Sequence, residues 1–190
     1  MACGKECMCL DALPAKSLFS SIDINKVSAI NERVKESCAN VLNRSSSERE
    51  TEVHAYSKDK QGLVIKIPFI CKVALSRIEI RTSFKKIEVF TNNQYVTLTY
   101  KPKNKEEYSL PGTDHILPIV LPAYKHKSVD TLTLRLTGTD EPGVLKYLCI
   151  CGAVSGVLPK AVNVTYELYP MPEDTKAPDA KANNMEIYRD

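Results

Sequence analysis

Seven cysteines and three histidines hold most of the reactive chemistry in this 190-residue chain. Cys3, Cys7 and Cys9 cluster near the start, Cys38 and Cys71 stand apart, and Cys149 and Cys151 are two positions apart in LKYLCIC. The count is odd, and MACGKECMCL lacks the long apolar stretch of a signal peptide, so a secreted disulfide framework is not expected. Ala2 stands where N-myristoylation needs Gly. No Cys-x-x-Cys pair occurs, which removes the zinc ribbon and the thioredoxin redox centre. Cys149 and Cys151 fall on one face of a strand-like run, about 6.6 Å apart, near the outer limit for a bridge. Reduced core thiols are the expectation there. Cys3, Cys7 and Cys9 suit a soft metal completed by other ligands, an acylated segment, or a free tail. The tail is the default for a chain end.

His54, His115 and His126 each lie in or beside a polar or Pro-containing segment, without a partner at metal-ligand spacing, and are expected at the surface. Glu106–Glu107 and Asp140–Glu141 are adjacent carboxylates that read as solvated turns rather than an acid/base pair. No nucleophile elbow, dinucleotide turn or P-loop is present. The expectation is a non-enzyme with no catalytic residues, no cofactor and no metal site.

Charge gives a weaker lead. With 26 Lys+Arg against 23 Asp+Glu the net charge is +3, too small by itself to imply a nucleic-acid binder. Three basic clusters stand out: Lys101, Lys103 and Lys105 around Pro102; Lys125-His126-Lys127; and Lys85 and Lys86 with Arg77 and Arg81. A single-strand binding groove needs such cations interleaved with exposed aromatics, and Tyr95, Tyr100 and Tyr108 are near enough to keep that alternative open.

The elements that must position these groups are nearly all strands. Candidates rich in β-branched residues are Leu63–Phe69, Val73–Arg81, Lys86–Thr91, Tyr95–Tyr100, Ile116–Leu121, Asp130–Thr137, Leu145–Cys151 and Ala161–Tyr169. In VALSRIEIR the apolar parity slips near Ser76–Arg77, which predicts a bulge, and Pro68 suits an edge or a bulge. Leu132, Leu134 and Leu136 alternate with polar residues, as in a half-buried antiparallel strand. One or two helical turns are predicted near Asn25–Glu36, a long polar loop over 43–62, an irregular leader over 1–16 and a tail over 170–190. Such a strand series predicts an all-β sandwich or jelly roll over 17–169.

Three segments together resemble the PITH domain, the module of proteasome-interacting thioredoxin-family proteins. They are Leu18–Glu32 (LFSSIDINKVSAINE), with its Ile22-Asp23 and Asn31-Glu32 pairs; Leu63–Ile80 (LVIKIPFICKVALSRIEI); and Val129–Gly152, ending in LKYLCICG. The leader with Cys7-x-Cys9 is similar to those of stand-alone members, and the chain carries no thioredoxin module. The resemblance spans about 18–170. It implies a jelly-roll β-sandwich of the galactose-binding-like type, without catalytic residues, in the cytoplasm and also the nucleus, that associates with the proteasome regulatory particle. The family is usually acidic before the Leu63 strand, whereas here the run is Lys58-Asp59-Lys60-Gln61.

Two functions follow as expectations. The first is a monomeric protein-interaction module with the proteasome as partner and no membrane span. The alternative is a ligand-binding sandwich that holds carbohydrate or nucleic acid in basic loops, a reading the absence of any Trp weakens.

Overall fold

A computed structural model describes residues 16–42, 53–93, 95–100, 102–112 and 115–156. In chain order its elements are β1 (Lys16–Ser17), β2 (Ser28–Ile30), α1 (Ser37–Leu42), β3 (Ala55–Tyr56), β4 (Leu63–Thr82), β5 (Lys86–Thr91), β6 (Glu106–Ser109), β7 (Leu117–Val120), β8 (Val129–Thr137) and β9 (Val144–Gly156). All strand pairs are antiparallel.

The two apolar runs expected as separate strands join into β4, which is 20 residues long. Pro68 does not break it. The register against β8 slips between Pro68 and Val73, and that against β9 slips again between Leu75 and Arg77, where the sequence changes parity. Proline has no N–H to donate, so a slip in the ladder is where it costs least. The first half of β4 pairs with β2 and β8, and the second half with β9 and β7. The strand therefore passes from one layer of a sandwich to the other at its bulge. One layer continues through β8 to β5 and β6, and the other through β9 to β1.

Between the layers lies the core. Ile65, Ile67, Ile87, Val89, Leu132, Leu134 and Leu136 come from one side, and Leu75, Ile78, Ile80, Leu148 and Ile150 from the other, all buried. The shared inward face of the three leucines on β8 is as the alternation predicts. Their strand is not half-buried, however, because Thr131, Thr133 and Arg135 on its other face are covered as well.

Part of that cover comes from 95–100, which was predicted as a strand and is irregular. Tyr95 and Tyr100 are exposed, while Val96 is fully buried against Val64 and Phe90, with Ile30 and Leu98 alongside. Here the Thr97 hydroxyl accepts from the Tyr100 N–H at 3.0 Å, a local turn that competes with a ladder. Four short strands have no counterpart among the candidates: β1, β2, β3 and β6, the last a charged edge on β5 whose EEYS looks like loop.

The helical turns near Asn25–Glu36 are displaced. A single 3-10 turn spans Ile24–Lys26, β2 follows it, and α1 begins only at Ser37. Asn31 and Glu36 both have positive φ (71° and 68°), which no helix accommodates. Beyond them Glu32 caps α1, accepting from the Glu36 N–H at 2.9 Å and from the Cys38 N–H at 3.3 Å. Cys38, Val41 and Leu42 then share the buried face. The segments 1–15 and 170–190, the strand predicted at Ala161–Tyr169, and 43–52 of the polar loop lie outside the described residues. What is described of that loop includes β3, paired with β9.

Gly152 marks the tightest approach in the second layer. A Cβ there would run into the Ala74 carbonyl oxygen of β4 and the Leu18 side chain, so the position admits only glycine.

Candidate functional site

β6 sets two adjacent carboxylates to opposite faces of the sheet edge. Glu107 faces outward and stands opposite Glu88 of β5, which stands in turn opposite Arg135 of β8. Two carboxylates directly opposite would repel, so cations complete the row. Arg135 Nη1 donates to Glu88 Oε2 at 3.2 Å, and Lys105 Nζ reaches both Glu88 and Glu107 at 2.8 Å. Lys86 Nζ lies 2.7 Å from Glu107. Hydrogen bonds from Lys105 and then Lys86 hold the Glu107 carboxyl down at about 2, and bonds to Glu107 and then Glu88 raise Lys105. Glu88 is only 1% exposed, which makes this row structural rather than free for a ligand.

Glu106 turns the other way, toward the loop between β7 and β8. His126, expected at the surface, is buried there: its Nε2 lies 3.0 Å from Glu106 Oε2, and its carbonyl accepts from the Leu75 N–H at 2.9 Å. The Lys-His-Lys setting hid this, since the carboxylate partner sits 20 residues away in sequence. Tyr108 Oη donates to the same carboxylate at 2.9 Å, and Lys125 Nζ is 2.9 Å from its other oxygen. Burial works to raise Glu106, but the bonds from Lys125, His126 and Tyr108 outweigh it and the group is lowered. Tyr108 is pushed up to about 12, by burial and then by its bond to Glu106.

Where β5 ends, β6 begins and the β7–β8 loop crosses, these groups line a concavity of about 470 Å³. Its walls are Lys103, Asn104, Lys105, Glu106, Lys125 and His126, with Val89 and Thr91. Lys103 is exposed and makes no ion pair among the described residues. Lys105 is held by Glu88 and Glu107 and Lys125 by Glu106, so Lys103 is the lining lysine whose charge is unpaired among the described residues, and the lining contains no Phe, Tyr or Trp.

Two of the basic clusters thus meet here in part, with Lys103 and Lys105 from one and Lys125 and His126 from the other; Lys101 lies outside the described residues. The third cluster does not assemble. Lys85 pairs with Asp140, Lys86 with Glu107, and Arg77 with Glu79 on its own strand. Asp140 is exposed, in keeping with a solvated turn. His115 is exposed, and His54 makes an edge-on contact with Tyr56, 6.3 Å between ring centres. Cys38, Cys71, Cys149 and Cys151 are free thiols. Cys151 is buried and reduced as expected, whereas Cys149 is only half-buried; both stand on the face of β9 opposite Leu148 and Ile150, outside the main core cluster. Cys3, Cys7 and Cys9 lie outside the described residues. Among the described residues, no group of three or more His, Cys, Asp or Glu is placed to hold a metal, and no helix is long and apolar enough to cross a membrane.

Several solved structures share the fold. The family 32 carbohydrate-binding module of C. perfringens NanJ, in complex with galactose, superposes with a TM-score of 0.53 at 10% identity over 73% of this chain and 99% of that one. A His 62 mutant of the lectin binding domain of lectinolysin, complexed with Lewis b, gives 0.53 at 6% identity over 74% and 100%. The C-terminal domain of a chitobiase from Bacteroides fragilis gives 0.51 at 14% identity over 74% and 99%. At such identities the likeness speaks for the fold alone, a galactose-binding-like β-sandwich. No curated protein matches the sequence significantly. The model of the PITH domain family matches residues 10–170, which is most of the chain. The chain belongs to the PITH domain family.

Proposed function

We propose that this protein is a non-catalytic interaction module whose cationic concavity receives an acidic segment of a partner protein. The partner proposed is the proteasome regulatory particle, met as a monomer in the cytoplasm and nucleus. The observation that carries the binding reading is the concavity itself: Lys103, Lys105 and Lys125, on the loops before β6 and between β7 and β8, surround Glu106 and a buried His126. Loops held on a rigid scaffold are where recognition usually resides. Family membership supports the choice of partner.

Structures of the same fold are recorded with galactose and Lewis b bound. Sugar rings commonly stack on the faces of Trp, Tyr or Phe, and the lining here has none of these and a His126 that is itself buried, which favours a protein ligand over a carbohydrate.

Affinity capture with tagged full-length chain from cell lysate, read by mass spectrometry, tests the reading. Proteasome subunits are expected at low salt, and their recovery should fall several-fold for Lys103→Glu combined with Lys127→Glu, the second an exposed residue next to His126 rather than part of the lining. A folded bait that recovers no proteasome subunit at low salt would overturn the choice of partner. Galactose binding at millimolar concentration, seen by calorimetry, would replace it with the carbohydrate reading.

A further inference from the structure

On the outward face of β9, Cys149 and Cys151 lean together until their sulfurs are 3.9 Å apart. Ser17 of β1 stands beside them, with its Oγ 3.6 Å from Cys149 Sγ. On the other side β4 sets Glu79 opposite Cys149 and Arg77 opposite Cys151, and those two form an ion pair at 2.9 Å. Cys149 is half-buried and open to a small reagent, whereas Cys151 is 4% exposed. The sulfurs must close by about 1.9 Å to reach the bonded distance of about 2.05 Å. Closing the gap requires rotation about both side chains and a pinch of the strand at Ile150 that brings the two Cβ atoms to about 3.8 Å.

We propose that Cys149 and Cys151 are a redox-active dithiol, closed to a disulfide by exchange with a low-molecular-weight disulfide and reopened by thiols. Cys149 is the attacking group and Cys151 the resolving one, as their exposures require. The Cys149 thiolate attacks one sulfur of the small disulfide; that S–S bond breaks and the first thiolate leaves, taking a proton from water. Cys151 then gives up its proton to solvent and attacks the Cys149 sulfur, and the second small thiolate leaves. The protein loses two electrons, and one small disulfide becomes two thiols.

The electrostatics agree with these roles. The hydrogen bond from Cys151, with help from Ser17 and Tyr147 and against burial, lowers Cys149 to about 6. Cys151 is raised, chiefly because its proton is held on the Cys149 sulfur and secondarily by burial. Cys38, raised by burial and by the nearby Glu32, is an inert thiol within the same molecule. A bridge between neighbours on one strand is strained, and strained bridges are the readily reduced ones.

The full-length chain is equilibrated in mixtures of oxidised and reduced glutathione, quenched in acid, alkylated and mapped by mass spectrometry. The expected product is a Cys149–Cys151 peptide two hydrogens lighter and closed to alkylation, which returns on adding reduced glutathione. Cys151→Ser should stop at a glutathione adduct on Cys149, and Cys149→Ser should leave Cys151 unmodified. Alkylation of Cys149 should be half-maximal at a pH below the ordinary thiol value of about 8.5. The bridge should also form when Cys3, Cys7 and Cys9 are all replaced by Ser. Persistence of both thiols at the highest oxidised glutathione, a wild-type protein arrested at the adduct, a bridge from Cys149 to a leader cysteine, or a half-point at the ordinary thiol value near 8.5 would each overturn the proposal. The first of these uses no variant, so the outcome does not depend on any variant folding.

Discussion

Glu88 shows what a single position on this sheet can carry. Its carboxylate is buried between Arg135 and Lys105, so Glu88→Ala would leave the Arg135 guanidinium buried without its counter-charge. Removing one partner of a buried pair costs about 3–5 kcal/mol, and urea denaturation of the variant should show a loss of that order. The strand KIEVFT made Glu88 legible only as an alternate polar residue. Its partner Arg135 lies 47 positions away in DTLTLRLT, and nothing local announces that the face they share is covered. His126 and Glu106 were hidden in the same way. The carboxylates also set the acid response. Glu106 and Glu107 titrate below their ordinary 4.5 when folded, so the stability they add is whole above about pH 4.5 and is lost as pH falls through their lowered values, to about 2 for Glu107. Urea midpoints measured across that window should fall with pH, and Glu107→Gln should flatten the fall. An unchanged slope would show that the ion pairs of Glu107 contribute nothing to the acid response.

Among the elements, those with long alternating runs were legible and those held by a partner surface were not. β4, β5, β8 and β9 announce themselves through β-branched residues, and the parity slip at Ser76 announced a bulge. β6 has four residues and takes its conformation from β5, so its own sequence carries too little pattern to show it. YVTLTY has strand composition, but only Val96, with Leu98 partly, packs inward. Val96→Ala is therefore expected to destabilise by about 1.5–3 kcal/mol, as loss of a buried side chain does, and to expose Phe90. A midpoint within about 0.5 kcal/mol of wild type would mean that this segment adds nothing as a cover. At Gly152 the expectation is harsher. Gly152→Ala drives a methyl group into the β4 backbone at Ala74, and the variant should melt well below wild type, because backbone cannot move aside as a flexible side chain can.

For the whole molecule, the mix of paired and unpaired lysines decides which charges can be spent on a partner. Reversing Lys105 would strip the buried Glu88 of a counter-ion and lower the melting temperature, so it cannot serve as a neutral test of docking. Lys103 and Lys127 are exposed, and replacing both should weaken capture of an acidic partner while the melting curve stays put. Rising salt should mimic that loss, since surface charges are screened within about 8–10 Å at physiological ionic strength. The long strand β4 has a further consequence, for the newborn chain. Its partners β8 and β9 are translated last among the described elements, at Val129–Thr137 and Val144–Gly156, while β4 itself is complete at Thr82. At about 5–20 residues per second, the ribosome leaves that apolar ribbon without its neighbours for several seconds. During this interval LVIKIPFICKVALSRIEIRT has the composition that templates intermolecular β-pairing, interrupted by Pro68 and by the scattered charges of Lys66, Lys72, Arg77, Glu79 and Arg81. A chain released before Val129 should therefore collect in inclusion bodies, or remain on holdase chaperones, while the full chain stays in solution.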